Sequence, residues 1–267
     1  MPQQVVFLLQ RPLTVSFLDL VELMLRIAAG EELPFTQSDV PMNGWAIESR
    51  IYAENPARGF VPSTGRLIHY RQPSQSGSVR VDSGVSEGSE ISIHYDPMVA
   101  KLVCHGSDRD AAIALMRESL DQFHIRGVVT NVPFLASLLG HKRFVTGETT
   151  TAFIDEEYPE GFVSQTPPEP LLSRIIALIA VVHQRSLVLQ KRDSPPSSNP
   201  RHTHVVRTAG VAHWCSVEPE DEGYSVRVDG RLLKLTTAWT SAEKVTEFCI
   251  DGERYYAQVE PTDIGYS

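Results

Sequence analysis

What is scarce in these 267 residues narrows the field first. Cysteine occurs three times, at Cys104, Cys215 and Cys249, an odd number, widely spaced and outside any metal-binding spacing. That excludes a disulfide framework and a cysteine-built zinc site, and it predicts reduced, buried thiols in a reducing compartment. Positive charge is also short. Lys and Arg total 24 against 33 Asp and Glu, a formal net charge of -9 with a pI near 5.5. A nucleic-acid partner needs a clustered basic face to displace phosphate counterions, and none is visible. There is no G-x-x-x-x-G-K-[ST] loop, no G-x-S-x-G elbow and no Cys–His signal beyond chance. The Gly- and Ser-rich "SGSVRVDSGVSEGS" leads into strands, so no helix N-terminus waits there for a phosphate, and hairpin turns are the expectation. "HTH" at 202–204 and His213 lack supporting carboxylates or cysteines. They read as isolated surface histidines, and no metal site is expected.

Long apolar runs are missing as well. The N-terminal "MPQQVVFLLQRPLTVSFL" has no basic leader and no small-residue cleavage site, and its apolar stretch is too short for a signal peptide. "LLSRIIALIAVVHQRSLVLQ", 171–190, is interrupted by Arg174, His183, Gln184 and Arg185, short of the roughly 18 to 20 apolar residues of a membrane span. The expectation is a soluble chain with no membrane partner. Its compartment reads as cytoplasmic, or the mitochondrial matrix in a eukaryote, although no transit peptide is visible.

With 42% hydrophobic and 21% charged residues, the composition is that of a globular protein with a sizeable core. "LDLVELMLRIAAG" places Leu20, Leu23, Met24 and Ile27 at helical spacing and stops at Gly30. Short alternating runs follow at 45–52, 66–71, 78–82, 90–94 and 98–105, which predict strands. "SDRDAAIALMRESLDQF" predicts a helix capped by Ser107, with Asp110 three residues on and one face of Ala112, Met116, Leu120 and Phe123. A shorter helix is expected in "NVPFLASLLG". The first part is therefore α+β, a meander of antiparallel strands with helices packed on it.

The text changes character near residue 164. A Pro-rich joint precedes a predicted helix at 170–191, a linker at 192–201 lacks core-forming residues, and strands recur at about ten-residue spacing over 202–260. "VDGR" and "IDGE" set Asp-Gly between apolar runs, the strongest short hairpin signal. A second, mainly antiparallel, barrel-like β domain is expected.

Arg80 is the residue that raises a question of chemistry. Strand alternation turns Val79 and Val81 to the core and Arg80 and Asp82 to the other face. The pair reads either as a solvated surface contact worth at most about 1 kcal/mol or as a guanidinium fork aimed at a carboxylate, bicarbonate or enolate oxygen. Glu48 and Arg50 read as a structural ion pair. Asp96 and Lys101 bracket a Pro turn, and both are expected to fix it.

Taken together, "NGWAIESRIYAENP", "GFVPSTGRL", "VRVDSG", "YDPMVAKLVCHGSDRDAAIALM", "IRGVVTNVPFL" and "FIDEEYPEGF" resemble the C-terminal subdomain of the biotin carboxylase component of biotin-dependent carboxylases, an ATP-grasp fold. The wording is nearest to the α subunits of acyl-CoA (propionyl-CoA) carboxylases. The likeness runs over residues 18–163. Residues 164–267 are similar to the BT domain of the same subunits, a helix wrapped by an antiparallel barrel, here apparently cut before its last strands. Residues 1–17 match nothing recognisable.

The resemblance implies a ligase that uses ATP and Mg with bicarbonate to carboxylate biotin, and a carboxyltransferase β subunit as partner. It puts Arg80 at the motif position of an arginine beside bicarbonate and biotin, which stabilises the biotin enolate. The family's ATP-grasp lysines, glycine-rich lid and Glu-x-Asn-x-Arg segment have no counterpart here, and no Met-Lys-Met biotinylation site is present. No cofactor is therefore assigned to this chain itself, and the isolated chain is expected to be inactive. It reads as an internal piece of the α subunit, from a truncated gene or a mis-called frame. Three readings follow: part of a carboxylase with Arg80 at its site, a module docking on the β subunit, or a non-catalytic remnant.

Overall fold

The computed structural model describes residues 7–9, 19–36, 39, 43–163, 167–190, 202–208, 210–240, 245–262 and 265–266. The predicted linker 192–201 and most of the N-terminal segment 1–17 lie outside these residues. Contacts divide the chain into two compact units, Met1–Ser164 and Gln165–Ser267.

In chain order the first unit runs β1 (Phe7–Leu9), α1 (Leu20–Ala28), β2 (Trp45–Tyr52), β3 (Glu54–Asn55), a 3-10 turn (Pro56–Arg58), β4 (Val61–Pro62), β5 (Gly65–Arg66), β6 (His69–Arg71), β7 (Val79–Ser83), β8 (Glu90–Ile91), β9 (Met98–Gly106), α2 (Arg109–Gln122), β10 (His124–Arg126), α3 (Val132–Leu139), α4 (Lys142–Thr146) and α5 (Phe153–Glu157). Its centre is an antiparallel sheet in the order β1-β2-β9-β7. The inner positions of β2, β7 and β9 supply Ile47, Ile51, Val79, Val81, Leu102 and Cys104 to the core. Ala112, Met116, Leu120 and Phe123, the face expected of α2, pack into the same core.

Several local expectations give way to tertiary structure. The cap of α2 is Asp108, whose Oδ1 accepts from the Ala111 N–H at 2.9 Å. Ser107 instead donates its hydroxyl to Asp108 Oδ2. A carboxylate one residue further on outcompetes the hydroxyl, because charge-assisted acceptors favour a helix N-terminus more strongly. The run 66–71 is broken into β5, which pairs with β8, and β6, which pairs with β10. The run 90–94 is a strand only at Glu90–Ile91. Of the stripe expected on α1, Met24 and Ile27 are at least half exposed and Leu23 is partly buried, while the side chain of Leu20 lies outside the described residues.

Asn131, fully buried, ties the end of β2 to the start of α3. Its Oδ1 accepts from the Tyr52 N–H at 2.9 Å, and its Nδ2 donates to the Arg50 carbonyl at 3.0 Å. Ser49 is the opposite case: it is fully buried on β2, and its hydroxyl has no partner among the described residues.

The second unit comprises α6 (Leu171–Gln190), β11 (His202–Thr208), β12 (Val211–Glu220), β13 (Gly223–Val228), β14 (Arg231–Thr237), β15 (Val245–Ile250), β16 (Glu253–Gln258) and a short pair, β17 (Pro261–Thr262) with β18 (Gly265–Tyr266). Strands β11 to β16 form one antiparallel meander in sequence order. It curls over α6, and no pairing joins β11 to β16 among the described residues. Both Asp-Gly hairpins form as the sequence demands. Asp229 and Gly230 have φ of 46° and 92°, and Asp251 and Gly252 have 51° and 84°, the positive pair that a type I′ turn needs.

By length and composition, with a mean hydropathy of 1.5 over Leu171–Val188, α6 would suffice to cross a membrane, despite the charges expected to interrupt it. Its apolar side chains are instead the core of this unit: Ile176, Ala177, Ala180, Val181 and Val182 are buried against Val217, Val226, Leu233 and Phe248. Its two arginines are met by the strands. Arg174 pairs with Glu253 at 2.6 Å and donates to the Tyr255 hydroxyl; Arg185 donates to the Tyr224 hydroxyl at 3.2 Å.

Replacing Asn131 by Ala strands two buried backbone groups. It is expected to cost about 2–4 kcal/mol, read from amide exchange in β2 and β9, which isolates the stability of the first unit. Ser49→Ala, in the same assay, is expected to stabilise by about 1 kcal/mol, because it removes a buried hydroxyl with nothing to bond. In the second unit, the Asp229 carboxylate accepts from His213 Nδ1 at 2.7 Å and from the Trp214 N–H at 2.8 Å. These two contacts, His213 first, hold its pKa below the ordinary carboxylate value. A lowered native pKa stabilises the fold above the unfolded value, and that part is lost as pH falls through the native one. Melting curves between pH 6 and pH 2.5 should therefore show a steeper acid loss in the wild type than in Asp229→Asn, which keeps a residue tolerant of positive φ but has no charge to lose.

Candidate functional site

Strand register fixes which side chains share the face of the sheet opposite α2. Arg80 lies across from Val103, and Asp82 across from Lys101. On the other side of β9, Glu48 lies across from Val103 and Arg50 across from Lys101. Side chains directly opposite on neighbouring strands point the same way, so Glu48, Arg50, Arg80, Asp82, Lys101 and Val103 stand on one surface.

The alternation expected of β7 is observed. Val79 and Val81 are buried, and Arg80 is held between them on the outward side. Arg80 Nη2 lies 3.2 Å from Asp82 Oδ2, with both side chains about half exposed (50% and 52%). An ion pair so exposed contributes little to stability. Arg50 and Glu48 pair as expected, Nε to Oε1 at 3.1 Å, with Glu48 at only 12% exposure. The Glu48 contact raises the Arg50 pKa, and the Tyr52 side chain adds to it. Val103, 4% exposed, forms an apolar floor among these charges.

The turn-fixing expectation holds for Asp96 and fails for Lys101. Asp96 Oδ1 accepts from the Met98 N–H at 2.9 Å and folds the chain around Pro97. Lys101 lies well inside β9, half-buried, and no carboxylate oxygen lies within 4 Å of its ammonium among the described residues. Part of the signal that places it was present in the sequence, because positions 101 and 103 share a strand face; that 101 lies across from 50 and 82 is fixed only by the register.

Other candidates are absorbed by structure. The Gly/Ser-rich stretch leads through a turn from β7 to β8, but the expected hairpin does not form, because β7 pairs with β9 and β8 with β5. Ser83 donates to the Val85 carbonyl, and Tyr70 is bonded to Ser83 at 2.7 Å. Cys104 and Cys215 are buried, which pushes both thiols up to about 11 and leaves them unreactive, while Cys249 is only partly buried. His213 and His204 are not isolated surface groups, while the side chain of His202 lies outside the described residues. His213 pairs with Asp229, and His204 bonds Gln184 at 3.0 Å with the His183 ring 5.3 Å away. Contact with α6 draws His204 in, and the Asp-Gly turn holds His213. Among the described residues no three His, Cys, Asp or Glu side chains gather to hold a metal ion.

Comparison with known proteins settles the family. Residues 48–156 match the biotin carboxylase C-terminal domain, and residues 175–267 match the propionyl-coenzyme A carboxylase BT domain. The chain belongs to the biotin-dependent carboxylases. The propionyl-CoA carboxylase alpha chain of Ruegeria pomeroyi is 39% identical over 269 residues, covering 91% of this chain and 40% of that one. The mitochondrial alpha chain of Mus musculus is 37% identical over 271 residues, covering 96% and 37%. This chain thus spans about two fifths of the length of the carboxylase relatives it matches.

Among solved structures, the biotin carboxylase subunit of pyruvate carboxylase superposes with a TM-score of 0.52 at 38% identity, over 57% of this chain and 34% of that one. The biotin carboxylase domain of Hydrogenobacter thermophilus 2-oxoglutarate carboxylase, in complex with MgADP, ADP and bicarbonate, gives 0.52 at 37% identity over 57% and 33%. The first unit therefore has the fold of the C-terminal biotin carboxylase subdomain.

Proposed function

We propose that this chain forms part of the α subunit of a biotin-dependent acyl-CoA carboxylase of the propionyl-CoA type, and that the complete subunit carries out ATP- and bicarbonate-dependent carboxylation of biotin. One observation carries the reading: Arg80 is fixed on a strand between two buried valines and presents its guanidinium on a face richer in cations than anions. That donor set suits bicarbonate, whose two oxygens can take two parallel N–H bonds, and the single ureido oxygen of biotin, on which N–H groups can converge.

Bound biotin supplies the ureido nitrogen that accepts the carboxyl group. Arg80 holds and orients the oxyanion beside it, and Asp82 restrains the guanidinium before ligand arrives. A fixed cation facing a developing oxyanion lowers a barrier more than most other single terms, because it needs no reorganisation during the reaction. MgATP is a different matter. The described residues offer no cluster suited to its metal, so no phosphoryl step is assigned to them.

A second reading, docking on a carboxyltransferase β subunit, is favoured by an apolar groove of about 160 Å³ on α6, lined by Ile175, Leu178, Ile179 and Val182 with Ala257 and Val259. Co-purification with a β subunit in the absence of ATP tests that reading without reference to Arg80.

Arg80→Ala, introduced into a complete α chain containing this sequence, is expected to lower bicarbonate-dependent biotin carboxylation by about a hundredfold or more. Melting behaviour should stay unchanged, since the lost ion pair is exposed. Turnover within a few-fold of wild type would return Arg80 to the role of a solvated charge.

A further inference from the structure

The charged face of the first unit does not balance. Glu48 is engaged by Arg50, and Asp82 by Arg80. Among the described residues Lys101 is left over, half-buried on the central strand, in a chain whose net charge is -9. The register sharpens the imbalance, because Lys101 stands directly across from Arg50. Like charges directly opposite on paired strands repel, and a strand in an acidic protein has no general need of a third cation there. On the other flank, Asp82 is directly across from Lys101, yet its carboxylate is turned to Arg80. Arg80 and Lys101 are diagonal neighbours on adjacent strands, with Val103 and Asp82 completing the four positions. Diagonal pairs lie roughly 7–8 Å apart at their backbones, within joint reach of one small ligand for side chains this long. Val103 beneath them is buried, and an apolar floor strengthens the pull of both cations on an anion.

We infer that Lys101 is a second binding group of the anion site, closing on the same oxyanion as Arg80 and supplying a point charge where the guanidinium supplies a fork. The missing negative charge of the face is that of the ligand, a small planar oxyanion of the bicarbonate class. The two cations divide the task. Arg80 fixes the plane of the ligand through paired N–H bonds, whereas the ammonium, with three donors on a flexible stem, neutralises the oxygen that faces β9. The inference rests on the reading of Arg80 given above, and it adds a residue that the turn motif of the sequence had concealed.

The test is a bicarbonate titration of the whole chain at constant ionic strength and pH 8, with chloride as the balancing ion, followed through the amide shifts of β7 and β9. The wild type is expected to saturate, and Lys101→Met and Lys101→Gln to weaken binding roughly tenfold, the worth of one charge-assisted hydrogen bond. Lys101→Arg, which keeps the charge, should restore most of the affinity. Saturable binding that Arg80→Met abolishes but neither neutral Lys101 variant changes would overturn the role of Lys101 and leave that of Arg80 standing. Binding indifferent to Arg80→Met, or no saturable binding at all, would overturn the site itself. Two neutral variants guard against one of them failing to fold, which the dispersion of the same amide spectra reports directly.

Discussion

A slip of β7 by one residue against β9 would bring Arg80 and Asp82 into the core and send Val79 and Val81 to solvent. Everything else in the first unit depends on that slip being forbidden. Because the side-chain period of a strand is two, a single register decides both the packing under α2 and the chemistry on the opposite face. The apolar side of the ladder enforces it. Val79, Val81, Leu102, Cys104, Ile47 and Ile51 are buried together, and exchanging two of those valines for two charges would cost far more than any surface pair returns. The orientation of Arg80 is thus set from below, by hydrophobic burial, and the exposed contact with Asp82 only trims it.

The second unit solves a different problem with the same logic. A twenty-residue helix of this apolarity needs cover on most of its circumference. Six strands in meander order supply it, with two Asp-Gly turns whose positive φ values match the strand twist. Three long polar residues of α6 are accommodated because they meet strand partners: Arg174 meets Glu253 and Tyr255, Gln184 meets His204, and Arg185 meets Tyr224. Counted along the sequence, these residues look like interruptions in a span. In space they are the hydrogen bonds that tie a core helix to its wrapping sheet.

Legibility followed the range of the interaction involved. The α2 face, the β7 alternation, both Asp-Gly hairpins and the α+β organisation were readable because period and turn chemistry are local. The cap of α2 was misread by one residue, since two adjacent oxygens competed for the same N–H groups and only their geometry chose between them. The splitting of 66–71 depended on which distant strands, β8 and β10, came to pair with each half. The histidines of the second unit were misplaced for the same reason. Their partners, Asp229 and Gln184, lie sixteen and twenty residues away in sequence. The outward position of Arg80 was readable from strand alternation, whereas the place of Lys101 inside β9 was obscured by the Pro turn beside it.

The contrast between Asn131 and Lys101 shows how a structural polar group differs from a binding one. Asn131 is fully buried with its amide oxygen and nitrogen both bonded to backbone, so local preference and global fold agree there. Lys101 is less settled: it faces Arg50 across one ladder and Asp82 across the other, and no carboxylate oxygen lies within 4 Å of its ammonium among the described residues. On the proposal made for this face, a ligand completes the charge, since Asp82, directly across from Lys101, has its carboxylate turned to Arg80. The face around Val103 is therefore best understood as a surface shaped for its bound state, with its charge closed only when an oxyanion is present.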